Sequence, residues 1–243
     1  MNCLILAAGL GSRLRGISDS KPLTPVGGVP LIEHVIRRAA KGGATRIVVV
    51  TGHAAERVEA YLAELQSRLA LPLGWERVDD WTRPNGYSVL AGAAVLNGNY
   101  LLSMCDHVFD PAILHGLRAE APAGVTLAVD RKLGGPLLDL DDATKVQVAP
   151  DGGIAAIGKT LAVYNAIDTG LFLATPALAE AIRADIAAGG SGSLSEGVQR
   201  LADAGRARTM DVGSAAWIDV DSPAMLALAE RLVASDSLTG SAA

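Results

Sequence analysis

From Leu4 to Leu23 the chain reads LILAAGLGSRLRGISDSKPL. An apolar run empties into a glycine-rich loop, and basic residues follow the glycines. Gly9 and Gly11 carry no Cβ, so the main chain there can come close to a ligand. Successive backbone N–H groups in such a loop form a concavity for an anion. Arg13 and Lys21 add full positive charge at its rim; the alternative for Arg13 and Arg15 is that both are solvated loop charges. Pro22 biases Lys21 toward extended backbone. The chemistry that these residue types and spacings serve is the holding of a polyphosphate.

Other phosphate loops and nucleophile motifs fit poorly. Gly9–Leu14 supplies the first two glycines of G-x-G-x-x-G, but Leu14 stands where the third should be. That third glycine permits close helix–strand packing. The same fingerprint needs an acidic residue at the end of the second strand, whereas RIVVVTGH, from Arg46 to His53, ends its apolar run in Thr51 and Gly52. No lysine directly follows the last glycine of the loop, as a Walker A motif requires. The sequence also contains no G-x-S-x-G nucleophile elbow.

The elements that must position the loop follow from periodicity. An initial strand over 2–7 leads into it. Pro30 opens a helix through about Lys41, stopped by Gly42-Gly43. A strand over 46–51, a helix over 54–68, a strand near 73–78, a helix through Leu96 and a strand over 100–105 follow. This alternation predicts right-handed crossovers and a parallel sheet with helices on both faces. Ligands in such sheets bind beyond the carboxyl ends of the strands. The glycine loop and Asp106 both lie at that edge. The second half predicts a strand over 125–129, short strands within 134–174, and helices near 176–188, 194–203 and 223–234. GGSGS, from Gly189 to Ser193, reads as a flexible connection.

The chain has 243 residues, half of them hydrophobic and 19% charged, which suits one sizeable α/β domain. A net charge of −5 with no basic stripe argues against a nucleic-acid partner. No uncharged apolar run reaches the roughly eighteen residues of a membrane span. The chain opens directly in a strand without a positive leader, so a cytoplasmic location is expected. Cys3 and Cys105 fall at opposite ends of their strands, too far apart for a disulfide, and read as reduced core residues.

LAAGLGSRL, from Leu6 to Leu14, together with Lys21-Pro22-Leu23, resembles the signature of the nucleotidyltransferases that make activated sugars and alcohols. Asp106-His107, DATKV (Asp142–Val146), IGK (Ile157–Lys159), YNAIDTG (Tyr164–Gly170) and WIDVDSP (Trp217–Pro223) extend the resemblance to about Pro223. In their order and spacing they are most similar to the inositol-1-phosphate cytidylyltransferase branch. The resemblance implies a Rossmann-like, mostly parallel sheet flanked by helices, of the glycosyltransferase-A-like type, with a small β-rich lobe for the acceptor. It implies one nucleotidyltransferase domain over 1–234 and a flexible tail over 235–243.

In such a reaction an acceptor phosphate attacks the α-phosphorus of a nucleoside triphosphate, and pyrophosphate leaves. The acceptor is already ionised, so catalysis is mostly positioning and neutralisation. Arg13 and Lys21 take the triphosphate side, with Lys21 matching the signature lysine. The resemblance implies that Ala7, Ala8, Gly9 and Gly11, with Asn85, Gly86 and Ser88 of the segment after Pro84, meet the nucleotide. Asp106 is expected to bind nucleotide and Mg²⁺, with Asp219 as second metal ligand and Asp221 as helper or as the cap of the last helix. Asp106 taken alone could equally be a helix cap. His107 is expected to be supporting or structural, since Mg²⁺ prefers oxygen. Lys159 is expected on the acceptor phosphate, with Tyr164, Asp168, Thr169 and Gly170 on the acceptor's hydroxyl-bearing part.

The expected reaction joins CTP to a phosphorylated alcohol, inositol 1-phosphate first, in a possible homodimer. Sugar-1-phosphate nucleotidyl transfer from UTP, GTP or dTTP, cytidyl transfer to phosphocholine or an aminoalkylphosphonate, and a non-enzymatic nucleotide sensor stay open as alternatives. Sugar-nucleotide enzymes carry an acidic segment where this chain has Ile157-Gly158-Lys159. Relatives that make cytidine-diphosphate inositol are often fused to a membrane transferase, and here that next enzyme is expected to be separate.

Overall fold

The computed structural model describes residues 1–14, 16–134 and 139–235. Arg15, residues 135–138 within the β-rich region, and residues 236–243 of the expected tail lie outside the described residues. In chain order the strands and helices are β1 (Asn2–Ala7), β2 (Pro25–Val26), β3 (Val29–Pro30), α1 (Leu31–Lys41), β4 (Arg46–Thr51), α2 (Ala55–Gln66), β5 (Leu73–Arg77), α3 (Gly86–Ala93), β6 (Tyr100–Met104), β7 (His107–Phe109), α4 (Pro111–Ala119) and β8 (Val125–Asp130). There follow β9 (Lys145–Val148), β10 (Ile154–Gly158), β11 (Ala166–Ala174), α5 (Pro176–Ala187), α6 (Leu194–Asp203), β12 (Ala207–Asp211), β13 (Trp217–Asp219) and α7 (Pro223–Ala234).

The centre is the expected parallel sheet, with β6, β1, β4 and β5 side by side. Apolar residues on both faces of β1 account for this placement, because only a strand covered on both sides can be apolar throughout. Cys3 and Ile5 pack on one face with α1, α2 and α4 residues such as Ile36, Leu62 and Leu114. Leu4 and Leu6 pack on the other with Val89, Leu178 and Val198 of α3, α5 and α6. Cys3 and Cys105 are both free and buried. No helix among the described residues is long and apolar enough to cross a membrane.

The β-rich second half extends this same sheet. Strand β11 runs antiparallel to β6 through Leu171–Ala174, then parts from it and pairs with β9 through Ala166 and Ile167. Its opposite edge keeps β8 throughout, with a register shift between Asp168 and Phe172. Gly170 sits inside that shift at φ +72°, a left-handed conformation that glycine adopts without a Cβ penalty. The change of partner opens the sheet between the ends of β6 and β9, above Asp168 and Gly170.

A two-stranded antiparallel ribbon of β7 and β13 lies beside the opening, with Asp219 opposite His107 and Ile218 opposite Val108. Alternation along a strand divides these pairs between two faces. Val108 and Ile218 are buried in a small cluster with Val26, Leu31, Val220, Leu226 and Ala229. His107 and Asp219 therefore turn the other way, into the opening.

Gly92 shows how tightly this core is closed. A Cβ there would collide with Leu4 and come within 2.9 Å of Val50. Overpacking a closed core costs about 1–3 kcal/mol, more than the ~1 kcal/mol of helix propensity that alanine gains over glycine. Gly92→Ala is therefore expected to lower stability by about 1–2 kcal/mol. A urea midpoint at or above that of the wild type would contradict this packing.

Candidate active site

The glycine loop leaves β1 at the carboxyl edge of the sheet. Gly11 has φ +63°, and a Cβ at this position would collide with the Cβ of Lys21. The glycine is thus what lets the lysine stem cross the loop. Ser12–Leu14 forms a 3-10 turn whose Leu14 is buried, so Arg13 is held at the mouth with its side chain 46% exposed. Lys21 opens a second 3-10 turn, Lys21–Leu23, rather than lying in extended backbone. A following proline disfavours helical geometry without forbidding it, and the turn closes with Leu23 N–H donating to Ser20 O and Thr24 N–H to Lys21 O.

The ammonium of Lys21 donates to Asp106 Oδ2 and lies 3.9 Å from Asp219 Oδ1. Asp106 follows β6 and Asp219 ends β13, so the ribbon brings together carboxylates 113 positions apart in the numbering. His107 faces both, its Nε2 lying 3.7 Å from Asp106 and 3.5 Å from Asp219. Its Nδ1 is 2.6 Å from the carbonyl of Thr169. A Cβ on Gly170 would strike the imidazole, so this second glycine makes room for the ring. Burial alone would lower the His107 pKa, but Asp219, then Asp106 and the Thr169 carbonyl, push it up to about 10. The ring thus sits beside both carboxylates. Burial opposes the charge on Lys21 too, and Asp106 and Asp219 outweigh it and hold the ammonium ionised. Asp106, despite its burial, is held below the usual carboxylate range by Lys21 and His107.

Three buried carboxylate oxygens here have no hydrogen-bond partner: Asp106 Oδ1, Asp219 Oδ1 and Asp221 Oδ1. Leaving buried charged acceptors unpaired is costly unless something else satisfies them. Ligand atoms of Asp106, His107 and Asp219 lie within 4.8 Å of one another, as do those of Asp142, Asp219 and Asp221. Oxygen donors at this spacing fit a hard divalent cation. Asp221 pairs with Arg13, and its carboxyl is pushed up to about 6 by burial and then by Asp219. It does not cap α7. Ser222 does, accepting from Met225 N–H, because Ser222 has the extended backbone and the short hydroxyl reach that an N-cap needs.

Two adjoining cavities share Lys21, Asn85, Met104 and Asp106 as their common wall. The first extends over Ala8, Gly9, Gly11 and Ser88, with Trp81 and Arg83. The second extends over Arg13, His107, Asp142, Lys159, Asp168, Gly170, Asp219 and Asp221. Asn85 is fixed by accepting a hydrogen bond from Leu194 N–H at 2.9 Å. Asp168 accepts from Gly170 N–H at 2.7 Å, and burial pushes its carboxyl up to about 6. Lys159 and Arg13 both reach Asp142, at 2.8 and 2.6 Å.

The other expected residues do not line either of these two cavities. Ala7 is buried in β1. Gly86 is packed against the Gly192 carbonyl, where a Cβ would not fit. Tyr164 packs on the core and under the ammonium of Lys145. Thr169 is fully buried, and its hydroxyl donates to Ala128 O. Sequence reasoning assigned no role to Asp142, Thr144, Trp81, Arg83 or Ser195, which line the cavities. For Asp142 the signal was present in the DATKV segment, but its partner Arg13 is 129 positions away.

Gly11→Ala is expected to displace Lys21 while leaving the fold intact. A misplacement of about 1 Å at a reacting centre costs on the order of a hundredfold in rate. Turnover should fall by about that factor, and the melting temperature should drop as well, because alanine is strained at a positive φ. Turnover equal to the wild type would mean that Lys21 does not depend on this crossing.

Residues 3–196 match the model of the MobA-like NTP transferase domain. A bifunctional IPC transferase and DIPP synthase of Rubrobacter xylanophilus is 35% identical over 182 residues, covering 74% of this chain and 39% of that protein. Its counterpart in Archaeoglobus fulgidus is 31% identical over 173 residues, covering 71% of this chain and 32% of that protein. The chain thus spans less than two-fifths of these relatives' length. Among solved structures, the inositol-1-phosphate CTP transferase from T. maritima superposes with a TM-score of 0.86 at 25% identity, covering 100% of this chain and 97% of that one. The chain belongs to the family of MobA-like NTP transferase domains, a nucleotidyltransferase built on their fold.

Proposed function

We propose that this protein transfers a cytidylyl group from CTP to inositol 1-phosphate and releases pyrophosphate. The observation that carries this reading is the shared wall. Lys21 and Asp106 stand between a cavity over the glycine loop and a cavity that ends at Lys159 and Asp168. A nucleotide in the first and a phosphorylated alcohol in the second would meet at that wall. The names of the relatives support the choice of CTP and inositol phosphate over other pairs.

In the reaction an acceptor phosphate oxygen forms a bond to the α-phosphorus, and the bond from that phosphorus to the β-phosphate bridging oxygen breaks. Pyrophosphate carries away the electron pair. No strong base is required, because the nucleophile is already an anion. The work is to hold two anions together, and it falls to cations in a partly dry site. Lys21 sits where the transferring phosphorus would lie. Arg13 at the glycine loop grips polyphosphate oxygens with its planar fork. Lys159 takes the acceptor phosphate. Asp168 accepts from an acceptor hydroxyl, and Ala8, Gly9 and Ser88 line the nucleoside cavity. Asp106 and Asp219, with Asp221 beside them, would hold Mg²⁺, which neutralises phosphate charge and orients the two substrates.

Pyrophosphate release should be fastest with CTP and inositol 1-phosphate in a panel of nucleoside triphosphates and phosphorylated alcohols or sugars. A clear preference for UTP, GTP or dTTP with a sugar 1-phosphate would replace this reading. Nucleotide binding without release from any pair would make the protein a sensor. Asp106→Ala and Lys21→Ala should each cut turnover by at least about a hundredfold, the usual loss for one electrostatic group at a reacting centre. Near-wild-type rates in both would remove these residues from the chemistry.

A further inference from the structure

Asp142 is an anion placed among the groups that receive anions. It lines the acceptor-side cavity. Its Oδ2 accepts from Arg13 at 2.6 Å and its Oδ1 from Lys159 at 2.8 Å. Arg13 comes from the glycine loop, and Lys159 follows the end of β10. One carboxylate therefore bridges the cation assigned to the triphosphate and the cation assigned to the acceptor phosphate. The bridge is built deliberately. Lys145 Nζ donates to Leu140 O and to Lys159 O, both at 2.9 Å, tying the Asp142 turn to the strand end that carries Lys159. Burial works against the Asp142 charge, and Lys159 and Arg13 overcome it and keep the carboxyl far below its usual range.

The three partners are solvent-accessible, with side chains 46%, 30% and 57% exposed for Arg13, Asp142 and Lys159. Ion pairs of this kind exchange partners readily. Phosphate oxygens make the same charge-assisted hydrogen bonds to arginine and lysine.

We propose that Asp142 is a resident anion, a positioning residue that holds Arg13 and Lys159 within reach of one another and competes with substrate phosphates for both. This rests on the reading of the cleft as a phosphate-transfer site. A lone small anion that takes one cation leaves Asp142 on the other and gains little. A triphosphate and a phosphate monoester together replace the carboxylate at both of its contacts. Asp142 thereby biases the cleft toward the complete substrate pair and against free phosphates.

The test is calorimetric titration of pyrophosphate into the full chain as wild type, Asp142→Asn and Asp142→Glu. The Asn variant, lacking the competing charge, should bind pyrophosphate about tenfold more tightly, the scale of one charged hydrogen bond. The Glu variant keeps the charge and should bind like the wild type. Turnover should show KM falling for both substrates in the Asn variant, whereas a purely structural role would leave KM unchanged or raise it. Unchanged or weaker pyrophosphate binding in the Asn variant overturns the proposal. Hydrogen exchange on the wild type keeps the test open should the Asn variant fail to fold. Saturating pyrophosphate together with inositol 1-phosphate should speed exchange over residues 139–148, because the pair displaces both contacts of Asp142, and unchanged or slower exchange there also overturns it. Pyrophosphate that binds none of the three proteins would defeat the phosphate-transfer reading itself, whereas equal binding by all three defeats only the role given to Asp142.

Discussion

The site depends on setting two neighbouring carboxylates against two neighbouring cations. Asp106 and Asp219 bring ligand atoms within 4.8 Å of one another at the end of a short ribbon, a range at which like charges repel. Lys21 and His107 lie beside both and offset that repulsion. The arrangement is reciprocal, because burial opposes the charge on either cation and the aspartates offset it. Removing one member leaves an uncompensated charge, and that penalty exceeds what the intact cluster contributes to stability. The fold holds these four groups in register because the arrangement fails as a unit.

Three backbone devices do the holding. Gly11 lets the stem of Lys21 pass across the loop, and Gly170 lets the ring of His107 sit beside β11. The third is the β7–β13 ribbon, whose back is sealed by Val108 and Ile218 in an apolar cluster under α7. A slip of one residue in the ribbon would exchange the faces and bury Asp219 among leucines and valines. The register is therefore fixed by hydrophobic burial on one side, and the geometry of the charges on the other side follows from it.

Sequence reasoning reached the parts of this arrangement that are written locally. The parallel core was legible because β1, β4 and β6 are continuous apolar runs separated by helices of clear period. The glycine loop, Lys21 and Asp106 were legible because topology alone puts the carboxyl ends of such strands at one edge. The ribbon was not legible. Strands of three residues carry too little alternation to be read, and the pairing of His107 with Asp219 joins distant segments. Of the two roles open to Asp221, helper or cap of α7, the cap goes to Ser222; both are capping residue types, and Asp221 is paired with Arg13 instead. The extended backbone expected of Lys21 gave way to a turn for a similar reason, since a local preference yields when buried neighbours and closing hydrogen bonds favour another geometry.

The two cavities differ in how they are built. The glycine-loop cavity rests on strand ends and one loop, all anchored in a sheet with apolar residues locked on both faces. The second cavity is assembled from the bend in β11, the turn around Asp142 and the start of α6, joined by single hydrogen bonds such as that from Leu194 N–H to Asn85. Polar loop contacts can be rearranged at smaller cost than a packed sheet, because loops tolerate changes that closed cores do not. A fold divided in this way lets the lining of the second cavity vary while the glycine-loop cavity stays constant. Sequence differences among relatives should accordingly concentrate around 139–170 and 189–199, and spare the ends of β1 and β6.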